Sequence, residues 1–252
     1  MSTSLFESFD LGKPHLKNRM VMAPLTRCRA TAEHIPTDLM ATYYAQRATA
    51  GLIITEGTSP SPNGLGYARI PGLFAPSHVV AWRKITQAVH DGGGHIFVQL
   101  MHTGRASHAL NMPAGARVLA PSAVGLSGAM WTDQQGMQPY PTPEIMSEAD
   151  IGKAIEEYAA SAVLAIEAGF DGVELHGANG YLIEQFLNIA SNQRTDQWGG
   201  SIENRARFAI EVATLASRRI GASRIGMRLS PYGVFNDMAA DAETGPLYTH
   251  LA

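Results

Sequence analysis

The chain has 252 residues, 45% of them apolar and 16% charged, a globular balance with enough apolar mass for a core. Its net charge of −3 and pI near 6.3 give no electrostatic ground for a nucleic acid or an anionic membrane as partner. The single cysteine, Cys28, excludes an intrachain disulfide and a cysteine metal cluster, and the N-terminus has neither the basic nor the apolar region of a secretory signal.

Short apolar runs alternate with helical patterns along the chain. The first run, Met20-Val21-Met22-Ala23, precedes a helix expected over residues 37–50. Leu52-Ile53-Ile54-Thr55 is the second, followed by a helix over 77–91 that Gly92-Gly93-Gly94 stops as a C-cap. The third is Ile96-Phe97-Val98-Gln99-Leu100, and a long connection rich in Pro, Gly and Ser, 103–145, comes after it. Ser147-Glu148-Ala149-Asp150 then reads as a capping box with Asp in place of Glu, opening a helix that ends at Gly169. Gly172-Val173-Glu174-Leu175-His176 is the fourth run, with a polar connection over 178–200 behind it. A helix over 201–220 leads to the fifth run, Ile225-Gly226-Met227-Arg228-Leu229, and a last helix begins near Thr244. All these apolar stretches are far shorter than a membrane span, so a soluble, cytoplasmic protein is expected.

Each run reads as a buried parallel strand, and the alternation argues for a single α/β domain over residues 1–252. Both long connections follow strands, where βα loops build active sites. Strand parity then sorts the polar residues. With Ile96, Val98 and Leu100 facing the helices, Gln99 points inward; by the same rule so do Glu174, His176 and Arg228. An inward arginine is costly without a partner. Either a polar ligand above the sheet satisfies it, or an internal pair such as Arg228–Glu174 does.

The stretch His176-Gly177-Ala178-Asn179-Gly180-Tyr181 is more specific. Two residues able to donate to one oxygen, His176 and Asn179, precede a phenol, Tyr181, at a strand end. That trio suits a carbonyl substrate: two donors polarise it and one acid supplies a proton.

At this point the chain resembles the Old Yellow Enzyme family of FMN-dependent ene-reductases. The resemblance rests on Met22-Ala23-Pro24-Leu25-Thr26-Arg27, Thr55-Glu56-Gly57, Gly66-Tyr67-Ala68, Val98-Gln99-Leu100 with His102-Thr103-Gly104-Arg105, residues 176–186, residues 192–205, and Arg228-Leu229-Ser230-Pro231. Thr26 is similar to the classical branch. The resemblance implies a (β/α)8 TIM barrel, present here as about five of the eight strand–helix units, with the chain stopping before the barrel closes.

It also implies roles. Pro24, Leu25 and Thr26 would line FMN, Gly57 would admit the flavin ring close to the backbone, and Gln99 and Arg228 would bond its pyrimidine end. His176 and Asn179 would bind the substrate oxygen, Tyr181 would donate the proton, and Tyr67 would contact the substrate. NAD(P)H would be the hydride source, and the C=C bond of an α,β-unsaturated carbonyl or nitro compound the acceptor. Asn192, Arg194, Asp196, Glu203 and Arg205 would brace the loop, while His102 and a buried, inert Cys28 would be structural. Met101 stands where many relatives carry an aromatic or branched residue, and the family's phosphate-binding loops are missing from the chain.

Open strand edges would call for a complementing C-terminal chain or a second copy. Two other readings follow from the same residues. One is a catalytically impaired barrel fragment that acts as a binding remnant. The other is a metal-dependent lyase using Glu174 and His176, for which no third ligand stands at an obvious strand end.

Overall fold

The structure, a computed structural model, describes residues 4–252. A short antiparallel hairpin, β1 (Phe9–Asp10) and β2 (His15–Leu16), precedes β3 (Val21–Met22). Then come α1 (Asp38–Ala45), β4 (Leu52–Thr58), α2 (Pro76–Asp91) and β5 (Ile96–Leu100). The connection after β5 holds β6 (Leu119–Ala120), β7 (Ala129–Thr132), β8 (Gly136–Pro139) and β9 (Glu144–Ile145). They are followed by α3 (Glu148–Glu167), β10 (Gly172–Gly177), α4 (Leu182–Leu187), α5 (Ile202–Ile220), β11 (Ile225–Leu229) and α6 (Thr244–Leu251).

β3, β4, β5, β10 and β11 form one five-stranded sheet in chain order, each parallel to its neighbours. With helices between successive strands, this is five-eighths of a (β/α)8 barrel wall. Strand parity behaves as expected. Ile96, Val98, Val173 and Leu175 pack outward with Trp82, Ile85, Ala162 and Phe208 of the helices. Phe97 turns the other way and closes the barrel floor with Leu16, Leu52 and Ile54.

The helix ends follow the local chemistry. Ser147 Oγ accepts from Asp150 N–H at 3.1 Å while Asp150 Oδ2 accepts from Ser147 N–H at 2.9 Å, so the capping box is formed. Ser201 caps α5 through the Asn204 N–H at 3.3 Å. Past the end of α2, Gly93 turns back at φ +68°, which its missing Cβ permits.

Several expectations change. The strands were all expected to be buried; β4, β5 and β10 are, but β3 and β11 are not. Val21 is 49% exposed and β11 is at most half-buried, because each is a sheet edge with a hydrogen-bonded neighbour on one side only. β3 is also shorter than its apolar run. α1 ends at Ala45, and turns with shorter-range bonds carry the chain on to Ala50. The long connection over 103–145 holds strands of its own that sequence reasoning did not name: β7 and β8 form a hairpin, and β6 pairs with β9. The second connection contains α4, all six of whose residues are buried.

Four of the five residues assigned to bracing do brace. Asn192 donates to Phe186 O at 2.7 Å and to Trp198 O at 2.8 Å. Arg194 grips Asp196 and donates to Pro121 O at 3.0 Å and Met146 O at 2.7 Å. Arg205 donates to Leu187 O at 3.0 Å and pairs with Glu243. Glu203 does not join them; it is exposed in the first turn of α5. Among the described residues no helix is long and apolar enough to cross a membrane.

Candidate active site

A cavity of about 130 Å³ opens at the C-terminal end of the sheet, lined by Ala23, Pro24, Thr26, Gln99, Met101, His176, Asn179, Tyr181 and Arg228. A larger cavity, about 350 Å³, lies beside Glu33, His34, Arg69 and Asp133, but its one arginine, Arg69, pairs with Asp133 at 2.9 Å. The converging polar groups are in the smaller one.

Glu174 organises its floor. Gln99 and Glu174 are register partners across β5 and β10, and His176 and Arg228 across β10 and β11. Gln99 Nε2 donates to Glu174 Oε1 at 2.8 Å, and Arg228 Nε donates to the same oxygen at 2.9 Å. The internal-pair reading of Arg228 is therefore correct, and so is its placement on the cavity. The pairing uses one edge of each side chain. Among the described residues, Gln99 Oε1 and Arg228 Nη1 have no protein partner.

His176 is a neutral donor. Burial, with the Arg228 charge adding to it, lowers its imidazole to about 3. Its Nδ1 accepts the Ala178 N–H at 3.3 Å, which leaves the ring proton on Nε2. Asn179 is exposed at the cavity rim and sits in the left-handed region at φ +57°. Tyr181 is buried with its ring edge-on to His176, centroids 4.9 Å apart. Burial raises its phenol, although a hydrogen bond with Tyr67 pulls the other way. The two hydroxyls lie 3.0 Å apart. Tyr67 does not line the cavity; it stands behind Tyr181.

Thus Pro24, Thr26, Gln99, His176, Asn179, Tyr181 and Arg228 come together as the sequence suggests, and three others, Tyr67, Leu25 and Gly57, lie outside the lining. The Leu25 side chain is 52% exposed and outside the lining. Gly57 does have a close neighbour, but that neighbour is Met101: a Cβ at Gly57 would lie 2.5 Å from the Met101 sulfur. The volume above Gly57 is thus filled by a side chain that motif reasoning could not place.

His102 is structural as expected. It is buried, lowered to about 3 by that burial, and its Nδ1 accepts the Gly104 N–H at 3.1 Å. Cys28 is half-buried rather than buried, and burial first, then the Glu56 charge, raises its thiol. Sequence reasoning missed Glu56 and Glu184. Glu56 is 1% exposed and accepts the Arg27 N–H at 3.0 Å and the Tyr44 hydroxyl at 3.1 Å, pinning the rim segment that carries Pro24 and Thr26. An acid inside the apolar run of β4 was the available signal.

Residues 4–252 match the model of a family described as NADH:flavin oxidoreductase / NADH oxidase. A "Probable flavin mononucleotide-dependent alkene reductase" of Leishmania infantum is 49% identical over 232 residues, 90% of this chain and 63% of its own length. The "12-oxophytodienoate reductase 7" of Oryza sativa subsp. japonica is 43% identical over 90% of this chain and 58% of its own. Among solved structures, the old yellow enzyme homologue from Zymomonas mobilis matches with a TM-score of 0.95 at 42% identity, over 99% of this chain and 69% of that one. Morphinone reductase matches with a TM-score of 0.93 at 41% identity, over 98% and 67%. The chain spans less than two thirds of the length of the two reductases of Leishmania infantum and Oryza sativa.

Proposed function

This chain belongs to the NADH:flavin oxidoreductase / NADH oxidase family, and on that premise we propose that it carries the flavin-ring and substrate sites of an FMN-dependent ene-reductase. The observation that supports this reading most is the convergence of Gln99, Arg228, His176 and Asn179 on one cavity at the mouth of the sheet.

The residues fit a flavin. A half-buried guanidinium and a buried amide oxygen, both without a second protein partner, suit the alternating donors and acceptors of its pyrimidine ring. Pro24 gives an apolar wall and Thr26 a hydroxyl at the rim. Leu25 and Gly57 lie outside this lining. Flavin, when bound there, supplies a hydride that it takes from NAD(P)H. The Arg228 charge, held in place by Glu174, offsets negative charge at the pyrimidine end.

The remaining residues act on the substrate, an α,β-unsaturated carbonyl or nitro compound. His176 Nε2–H and the Asn179 amide donate to its oxygen and draw electron density away from the β-carbon. Tyr181, kept protonated by burial, delivers a proton to the α-carbon. Tyr67 steadies the Tyr181 hydroxyl and meets only substrates that reach past it. The proposal extends to the open edges β3 and β11, which further strand–helix units would cover, from a complementing chain or another copy. It includes a cytoplasmic setting, which suits NAD(P)H as co-substrate.

The test is flavin uptake. The protein, alone or mixed with a polypeptide supplying the remaining strands, should turn yellow with FMN, bleach with NADPH and recover colour with cyclohexenone. A protein that takes up no FMN in either form would sink the reading.

A further inference from the structure

Asn179 and Gly180 occupy consecutive left-handed positions, φ +57° and +71°. Asparagine and glycine adopt that conformation more readily than other residues. Such a turn presents successive N–H groups to one side and makes an anion-binding concavity. Here the anion is internal. Gly180 N–H donates to Glu184 Oε2 at 2.6 Å. Asn179 N–H donates to Ser230 Oγ at 3.0 Å, and Ser230 Oγ donates to Glu184 Oε1 at 2.9 Å. The Tyr248 hydroxyl of α6 reaches the same oxygen at 3.2 Å. From the other side Asn236 Nδ2 donates to Asn179 O at 2.8 Å.

Glu184 is 2% exposed, and among the described residues its hydrogen-bond donors are one N–H and two hydroxyls, with no cation. A carboxylate buried without a countercharge is an expensive way to stabilise a fold. Two of its three bonds lead instead to the turn that carries Asn179, one directly and one through Ser230.

We propose that Glu184 is a positioning residue whose carboxylate anchors the turn at Asn179 and Gly180 and so aims the Asn179 amide into the cavity. The inference rests on the reading of Asn179 as a substrate donor. Burial raises the Glu184 carboxyl, and the three hydrogen bonds oppose that shift. Tyr248 is the titratable group in contact with it; the others, the Gly180 N–H and Ser230, do not titrate. The carboxylate therefore loses its charge at a higher pH than an ordinary glutamate, and the aim of Asn179 loosens with it.

Amide NMR of the ¹⁵N-labelled protein without flavin, followed from neutral to mildly acidic pH, reads this directly. The Gly180 backbone signal and the Asn179 side-chain signals should move together with one midpoint. In Glu184→Gln neither should titrate, and the Asn179 side-chain signals should be displaced at neutral pH. In Ser230→Ala, which keeps the carboxylate, the Gly180 signal should still titrate and the Asn179 response should shrink. If Glu184→Gln does not fold, the wild-type titration and Ser230→Ala decide. Asn179 side-chain signals that ignore the state of Glu184 overturn the proposal. In flavin-loaded protein, a phenol whose oxygen takes the place of the substrate oxygen against His176 and Asn179 is the probe, and Glu184→Gln should weaken its binding about tenfold at unchanged flavin affinity, the size of one charge-assisted hydrogen bond. Wild-type protein that binds no phenol while the NMR linkage persists would count against the reductase reading instead.

Discussion

His176 lies beside Arg228 in the β10–β11 register, and that neighbour together with burial settles its chemistry. An imidazole lowered to about 3 is neutral throughout the physiological range, so His176 donates a hydrogen bond and carries no charge. His102, buried and also lowered to about 3, behaves alike. The linkage has a definite sign. An unfolded histidine takes up its proton near pH 6.5, whereas these two resist until about 3. Between those limits the unfolded chain binds more protons, so stability falls as pH falls through 6.5 and stops falling below about 3. From pH 7 to pH 5 each histidine should cost about 2 kcal/mol. The raised carboxyls of Glu56 and Glu184 pull the opposite way. The comparison is therefore between wild type and His102→Asn: urea midpoints should fall less in the variant on acidification, and equal falls would show that His102 is not held neutral. Tyr181 makes a second residue-scale prediction. Tyr181→Phe removes the acid but not the cavity, so alkene reduction should slow on the order of a hundredfold or more while flavin reduction by NADPH is unchanged. Rapid-mixing kinetics of the two half-reactions separate them, and equal loss in both would refute the role.

At the scale of elements, legibility in the sequence depended on whether the signal was local. The start of α3 was readable because a capping box is a four-residue pattern whose bonds close within itself. Ser147→Ala should lower stability by about 1 kcal/mol, seen as a reduced urea midpoint at constant m; no change would mean that the Asp150–Arg117 pair holds the helix start without the box. The parity of β5 and β10 was readable too, because both faces are buried and a step of one residue changes which core a side chain enters. α4 was not readable: six residues give less than two turns of periodicity, and its burial comes from the loops around it. The β7–β8 hairpin was missed for a similar reason. Trp131 and Met137 face each other across it with both side chains exposed, and only Met130 and Thr132 of β7 are buried on the other face, too few to mark a strand. β3 and β11 were over-read, since apolar composition records what a strand can bury and not what lies beside it.

For the molecule as a whole, the candidate site divides the same way. Inward polar residues at strand ends brought Gln99, Glu174, His176 and Arg228 to one place from parity alone, and the family resemblance pointed to Pro24, Thr26, Asn179 and Tyr181, which share the same cavity lining. Leu25 and Gly57 fall outside the lining for different reasons: Leu25 is half exposed, and the volume above Gly57 is decided by where Met101 folds its side chain, a tertiary fact. The described sheet contributes partners for a flavin ring, but barrels of this class build their phosphate site in the loops after the seventh and eighth strands, and five strands are present. Removing the phosphate from the ligand should therefore matter little to this chain. Riboflavin and FMN should bind it with affinities equal within about threefold, since neither gains a phosphate clamp and the net charge of −3 offers none at long range. Quenching of flavin fluorescence measures both. Addition of a polypeptide carrying the remaining strands should favour FMN selectively, by about a hundredfold if two charge-assisted bonds to the phosphate form. A marked preference for FMN by this chain alone would place a phosphate site among these residues, and the division of labour between ring and phosphate would then have to be abandoned.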